Sequence, residues 1–456
     1  MTAPTTSSIS IQLHNPERVA WGVLLIAFAV FCLTCMLSVV AVHFFFFQST
    51  VPMLVTVSAA RGVVGLTPLD LREIPVHDSS DLSIGNIVRP GIQAQALMVF
   101  RDPYHQEDGN DILAMLTLDD AISAATLRSA ERPRFDWSNS TFEVDLDGVQ
   151  GDIDVLINDG FESNFVIFLQ TTQGAQISIA GSGQYHIHVL EDDVRVVNQL
   201  GEVVLIDPRL PLQRRARGVP AGYQGIVQAE GADIAVNPYG LTELLQNSDF
   251  KASAGSLPVD WRCGNIKLNT PPSGAINIGT ENGRHALFMI RGEGANTPGG
   301  TMCEQGAKAE DSPQWLDVSQ YNYLALQTTF YVNYQSLNRC GVKGSECPLI
   351  VLIQYIDRNG SQRELLYGFY SVNNPGDEPF TCEGCGPEHV LVHEKTWYTF
   401  NTGNILSTLL EDQYPHYITL VRFYASGHQY DTRISEISLM GGVVPPSTPA
   451  TASDGN

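Results

Sequence analysis

From Val19 to Val42 the chain runs through twenty-four residues without a charged side chain, and His43 and four phenylalanines, Phe44, Phe45, Phe46 and Phe47, follow directly. At about 1.5 Å per residue such a run makes roughly 36 Å of helix, enough to cross a hydrocarbon core of about 30 Å. A secretory apolar region is shorter, about 7 to 15 residues, and no small-x-small cleavage pattern precedes the phenylalanines. An uncleaved signal anchor is therefore read in preference to a removed signal peptide. The expectation is a single-pass protein of the cytoplasmic membrane, with a short cytoplasmic tail over residues 1–18, a transmembrane anchor over 19–47, and everything else as cargo.

The flanking charges orient the anchor only weakly, since Glu17 offsets Arg18 and Arg61 stands farther out on the other side. Cysteine usage breaks the tie. Cys263, Cys303, Cys340, Cys347, Cys382 and Cys385 form an even set in the last two hundred residues, as disulfides in an oxidising compartment would be. Cys32 and Cys35 lie inside the apolar run. The bulk of the chain is thus expected to be extracytoplasmic. The formal net charge of -23 lies there too, and so acidic a surface repels phosphates, which argues against nucleic acid as a partner.

Residues 51–131 mix strand-like pieces, at Met53 to Val57, Ile84 to Val88 and Ala96 to Phe100, with polar loops. Leu113 to Arg128 carries apolar residues at helical spacing as well as a strand-like start, and the region is read as β structure with one short helical insertion. Beyond it, Ile153, Val155 and Ile157 alternate with polar residues. So do Ile177 and Ile179, then Tyr185, Ile187 and Val189, then Val194 and Val196, then Val203 and Leu205. These read as short period-two strands, separated at Ser182-Gly183, Asp192-Asp193 and Gly201.

On these residues the segment Phe142 to Gly225 resembles a FecR domain. The matching features are a strand ending at Gly151-Asp152, the core FLQTTQGAQISIAGSGQYHIHV over Phe168 to Val189, VRVVNQLGEVVLID over Val194 to Asp207, and the closing VPAGYQGIV over Val219 to Val227. The resemblance implies a β-solenoid-like, β-rich module over residues 51–235, of a kind found in bacterial envelope proteins, where related proteins relay signals across a membrane to a sigma factor. Those regulators carry a cytoplasmic anti-sigma domain before the helix. About eighteen residues here are too few to bury a core, so the resemblance is not expected to extend to sigma-factor regulation.

A second domain is expected over 244–442. Apolar strands at Tyr323 to Tyr331, Leu349 to Tyr355, Leu365 to Tyr370, Trp397 to Asn401 and Ile418 to Tyr424, with turns at Asn359-Gly360 and Pro375-Gly376, give an all-β pattern of sandwich type. Its opening LLQNSDF and closing HQYDTRISEISLM resemble the ends of galactose-binding-like jelly rolls of carbohydrate-binding modules. The whole chain is accordingly read as mainly β: one N-terminal transmembrane helix, a FecR-like β domain, a jelly-roll β-sandwich, and a disordered Pro, Ser, Thr and Ala rich tail over 443–456.

The jelly-roll resemblance implies a structural calcium ion held by Asn247, Asp249 and Glu436, with Asp431 as an outside candidate, since calcium takes several hard oxygen ligands. No other cofactor is implied. Trp261, Trp315 and Trp397, with Tyr321, Tyr334, Tyr355 and Tyr398, could supply a sugar platform, because aromatic faces pack on pyranose rings. Core packing is the competing reading for all of them, and strand alternation lets only two or three share one surface. Cys382, Cys385, His389 and His393 have a spacing that could close around zinc. Disulfides compete, and six cysteines allow fifteen pairings; Cys263 with Cys303, Cys340 with Cys347 and Cys382 with Cys385 are favoured. His186 and His188 are read as a hydrated strand face, the Arg209, Arg214, Arg215 and Arg217 island as a loop docked on acidic surface of its own molecule, and Asp145, Asp147, Asp152, Asp154 and Asp159 as solubility positions. No phosphate loop, nucleophile elbow or His-Glu-x-x-His helix occurs, so no enzyme is expected. Two functions stand: a non-enzymatic, membrane-tethered envelope interaction or signal-sensing protein, and a surface-displayed carbohydrate-binding protein acting through its jelly roll.

Overall fold

The apolar run folds as one helix, Pro16–Phe47, in a computed structural model that describes residues 16–444 apart from 70, 105–110, 136, 139, 159–164, 192, 229–231, 267–270, 307–315 and 375–387. It is long and apolar enough to cross a membrane, and none of its apolar window is buried against the rest of the chain. The expected turn at Pro375-Gly376 and most of the C-terminal tail lie outside the described residues. The chain forms two compact units. One holds the helix, the strand Thr50–Pro52 and Glu131–Phe142; the other holds the remaining β structure.

The protein is mainly β. Strands from Leu54–Arg61 to Ala235–Pro238 belong to one large sheet, here called the N-terminal sheet. The predicted alternation sets its core: Ile153, Val155, Ile157, Ile177, Ile179, Tyr185, Ile187, Val189, Val194, Val196, Val203 and Leu205 are all buried. The β-rich reading of this half holds, but its neighbouring rows run antiparallel, as a meander, where successive solenoid turns would stack in parallel. Two of the three expected turns are also corrected. Gln176–Val189 continues through Ser182-Gly183 and Asp193–Ile206 continues through Gly201; between these two strands Leu190 N donates to Asp193 O, and Asp192 of the third expected turn lies outside the described residues.

Both long strands bend at the same level and change partners there. Residues 176–180 pair with Phe165–Thr171 and residues 183–189 with Phe142–Ile157. On the far side, 193–198 pair with Tyr223–Gln228 and 203–206 with Ala216–Val219. Glycine is needed at the bend because the Tyr185 hydroxyl fills it: a Cβ on Gly201, whose φ is +117°, would lie 1.9 Å from that oxygen.

The expected helix at Leu113 to Arg128 is a strand instead, part of Ile112–Pro133. Residues 112–118 are buried on both faces, because the strand lies inside the sheet between Gln95–Arg101 and Phe142–Ile157. A strand apolar on both faces loses its period-two signature and so reads as helix. At Asp120, where φ is +60°, pairing passes from Gln95–Arg101 to Ile87–Pro90.

The rest is a β-sandwich. A six-stranded sheet contains Ala275–Glu281, Arg284–Arg291, Tyr430–Gly442, Tyr323–Gln335 and Trp397–Asn401, edged by Leu241–Glu243. A seven-stranded sheet is built around Gly299–Gly306, Pro415–Gly427, Leu349–Asp357 and Gln362–Tyr370. Leu287, Phe330, Tyr398, Phe400 and Ile434 face Val351, Ile353, Phe369, Val421 and Phe423 in the core between them. Cys263 is bonded to Cys303 across paired strands, and Cys340 to Cys347 within one loop.

Candidate functional site

Strand alternation gives the six-stranded sheet two buried faces. Tyr398 and Phe400 enter the sandwich core, so Trp397 and Thr399 point the other way. There Ala286, Tyr331 and Trp397 pack with Leu97, Val99, Ile112 and Met115 in a second apolar core, which joins the sandwich to the N-terminal sheet. Gln95 extends this seam by mimicking a strand: its Nε2 donates to Thr399 O at 2.7 Å and its Oε1 accepts from Thr399 N at 3.0 Å.

Next to that seam the two β bodies part into a cleft of about 310 Å³. The N-terminal sheet supplies Thr117, Asp154 and Gln184; the sandwich supplies Arg284, Gln327 and Glu436. The Gln184 and Gln327 amides reach toward the Glu436 carboxylate, each at 3.5 Å, and the Arg284 guanidinium lies over the Trp397 ring. Burial pushes the Glu436 carboxyl up to about 7, against the pull of Arg284. Burial also draws Arg284 down to about 10, against Glu436 and Asp154.

A charged ladder runs from the cleft wall along the sheet. Register sets His186 opposite Asp154 and His188 opposite Asp152. His186 Nδ1 donates to Asp154 at 2.7 Å, and His188 Nδ1 is hydrogen-bonded to Asp152. Burial works against a charge on His186, but Asp154, Asp152 and Asp119 outweigh it and hold the imidazole up to about 9. Burial would raise Asp152, yet His188 and then His186 overcome it and keep that carboxyl below its ordinary value. Asp119 is pushed up to about 6 by burial, although the Gln95 amide donates to it; nearby Asp154 and Asp152 add to the rise.

These contacts correct several expectations. Asp152, Asp154, His186 and His188 form one paired cluster, not separate solvated positions. Asp147 pairs with Arg128. Arg209 and Arg214 do dock on acidic groups of their own molecule, Asp207 and Asp233. Trp261 and Trp397 are buried and offer no face to a sugar: Trp261 packs on Phe250 and Phe423 in the sandwich core, and Trp397 seals the seam. Tyr355 and Tyr398 are buried as well. Trp315, Cys382, Cys385 and Asp159 lie outside the described residues.

Of the residues expected to hold calcium, Asn247 is tied into its own loop: its side-chain oxygen accepts from Ala252 N, and its amide donates to the carbonyls of Ala252 and Val259. Asp249 and Glu436 do line one cleft, while Asp431 is engaged by Asn333 and Arg433. His389 bonds the Gly344 carbonyl and lies beside Cys340 and Cys347, whose sulfurs are bonded to each other. Sequence reading noticed the two Asp and two His separately and missed Arg284, Gln184 and Asp119. Spacing of two marks a strand face, but only register states which face meets which.

No family model and no curated protein matches the chain. Among solved structures, it is similar to a protein assigned as an anti-sigma factor from Parabacteroides distasonis, at 12% identity and a TM-score of 0.22, over 33% of this chain and 59% of that one. It is also similar to the family 11 carbohydrate-binding module of a cellulosomal cellulase of Clostridium thermocellum, at 10% identity and a TM-score of 0.25, over 46% and 98%. The CBM22-1 xylan-binding domain from Paenibacillus barcinonensis stands at 11% and 0.24, over 45% and 97%. The chain thus spans 59% of the anti-sigma structure that it matches. Likenesses at this level leave the functional reading to the site itself.

Proposed function

We propose that this chain is a membrane-tethered, extracytoplasmic protein without catalytic chemistry of its own, which binds an envelope partner in the cleft shared by its two β bodies. The observation that carries this reading is the composition of the cleft. Amide and charged side chains from both bodies, Asp154 and Gln184 on one side and Arg284, Gln327 and Glu436 on the other, line one space. A ligand seated there touches both bodies at once, as an interaction or sensing module requires. The apolar helix and the two disulfides support tethering in an oxidising compartment.

Glycan recognition is the second reading, favoured by a different surface. With the six-stranded sheet covered on both faces, the outer face of the seven-stranded sheet is the one left for a sugar. There Tyr370 and Tyr424 are partly buried beside Ile350, and Arg422 and Glu304 are paired at 2.8 Å.

One set of measurements separates the two. A photo-crosslinking residue at Gln184 of the full chain should capture an envelope component, and Glu436→Gln should weaken the capture. No crosslink above that of the unmodified chain would remove the first reading. Binding on a glycan array that disappears with Tyr424→Ala would install the second.

A further inference from the structure

The helix does not end in solvent. The segment that follows the long strand, about ninety residues later, closes its last turn. Ser138 Oγ donates to the Phe47 carbonyl at 2.6 Å and Ser140 Oγ donates to the same oxygen at 3.0 Å. Arg134 N donates to Ser49 O at 3.0 Å, and Arg134 Nε to Ser49 Oγ at 3.1 Å. The short strand Thr50–Pro52 pairs antiparallel with 131–133, which fixes the register of this return. A carbonyl at a helix C-terminus that has no intrahelical partner is thereby satisfied from a distant part of the sequence.

Four rings gather at the same place. Phe135 stacks on Phe46 with centroids 5.3 Å apart and meets Phe45 edge-on at 5.7 Å; Trp137 stacks on Phe135 at 4.8 Å. The Arg134 guanidinium lies 5.3 Å over the Phe45 ring. Yet the cluster is open: Trp137 is 63% exposed, Phe45 47% and Phe46 39%. In water so large an apolar stack, continuous with an apolar helix, has no reason to stay uncovered. Where a span meets headgroups it does, because an indole has an apolar body for the acyl boundary and a polar N–H for the wet side, and a guanidinium suits phosphate.

We propose that Arg134, Phe135 and Trp137 join Phe44, Phe45, Phe46 and Phe47 in a collar that sits in the headgroup and upper acyl region of the bilayer, so that the chain grips the membrane from two separate stretches of its sequence. The partner is the phospholipid boundary itself. The proposal rests on the reading that the helix crosses a membrane.

The test uses the full chain in phosphatidylcholine and phosphatidylglycerol nanodiscs, on a Trp21→Phe background that removes the tryptophan within the helix. Lipids carrying a doxyl quencher at the upper acyl chain should quench part of the remaining emission, and adding Trp137→Phe, which keeps a ring in the stack, should abolish that part. Emission unchanged by the quencher, in a chain that resists alkaline extraction from membranes, would overturn the collar and leave the anchor standing. Extraction by alkali would overturn both together.

Discussion

Gly201 has no room for a side chain. A Cβ there would meet the Tyr185 hydroxyl at 1.9 Å in a backbone conformation with φ of +117°. Gly201→Ala is expected to cost roughly 2 to 4 kcal/mol, by strain and overpacking, in a denaturant titration. Combining it with Tyr185→Phe should restore part of the loss; no recovery would mean that the hydroxyl is not what excludes the methyl. At the same scale, the ionisable groups of the cleft make stability depend on pH. His186 is held at about 9, above its ordinary 6.5, so folding takes up a proton. Its contribution is whole below about pH 6.5 and is lost as pH rises through about 9. Glu436, raised from 4.5 to about 7, acts in the same direction over a lower window: its contribution is whole below about pH 4.5 and is lost as pH rises through 7. The urea midpoint should fall from mild acid toward pH 9. His186→Gln should flatten the upper part of that decline and Glu436→Gln the lower part. A profile unchanged by both substitutions would show that neither proton is taken up on folding.

Among the elements, the disulfides hold very different lengths of chain. Cys263 and Cys303 are 40 residues apart, Cys340 and Cys347 only 7. By loop closure in the unfolded chain, replacing the first pair with alanines should cost about 4 kcal/mol and the second about 2.5 kcal/mol. Calorimetry on the two double variants checks the order, and a larger loss for the short loop would contradict it. The strand Ile112–Pro133 teaches a different lesson at this scale. Its apolar residues are visible in the sequence, but burial on both faces erases the alternation that would have named it a strand. The alternating rows from Ile153 to Leu205 kept their signature because only one of their faces enters the core, and there even the buried residues could be listed in advance.

For the whole molecule, the seam formed by Trp397, Tyr331, Leu97 and Met115 makes the N-terminal sheet and the sandwich lean on each other. Trp397→Ala should cost roughly 3 to 5 kcal/mol. Combined with Gln95→Ala, which removes the paired bonds to Thr399, it should split one calorimetric transition into two. A single, merely lowered transition would indicate that the two bodies are coupled elsewhere. Only assembly at this scale turned Trp397 from an imagined sugar platform into a structural seal, and brought Glu436 of the last sandwich strand to Gln184 of the N-terminal sheet, 252 residues away in sequence.

By itself the sequence determined what depends on local pattern: the apolar helix, the predominance of β structure, the alternating core of the N-terminal sheet, the acidic character of the chain beyond the helix and the cysteines of its last two hundred residues. These follow from period, composition and chain stiffness, which each short stretch carries on its own. Tertiary structure alone decided the antiparallel order of the rows, the ladder of His186, His188, Asp152 and Asp154, the burial of Trp261 and Trp397, and the return of Phe135 and Trp137 to the end of the helix. Each of these is a meeting of residues far apart in the chain, set by register and by which faces must be dry, and no local window contains that information.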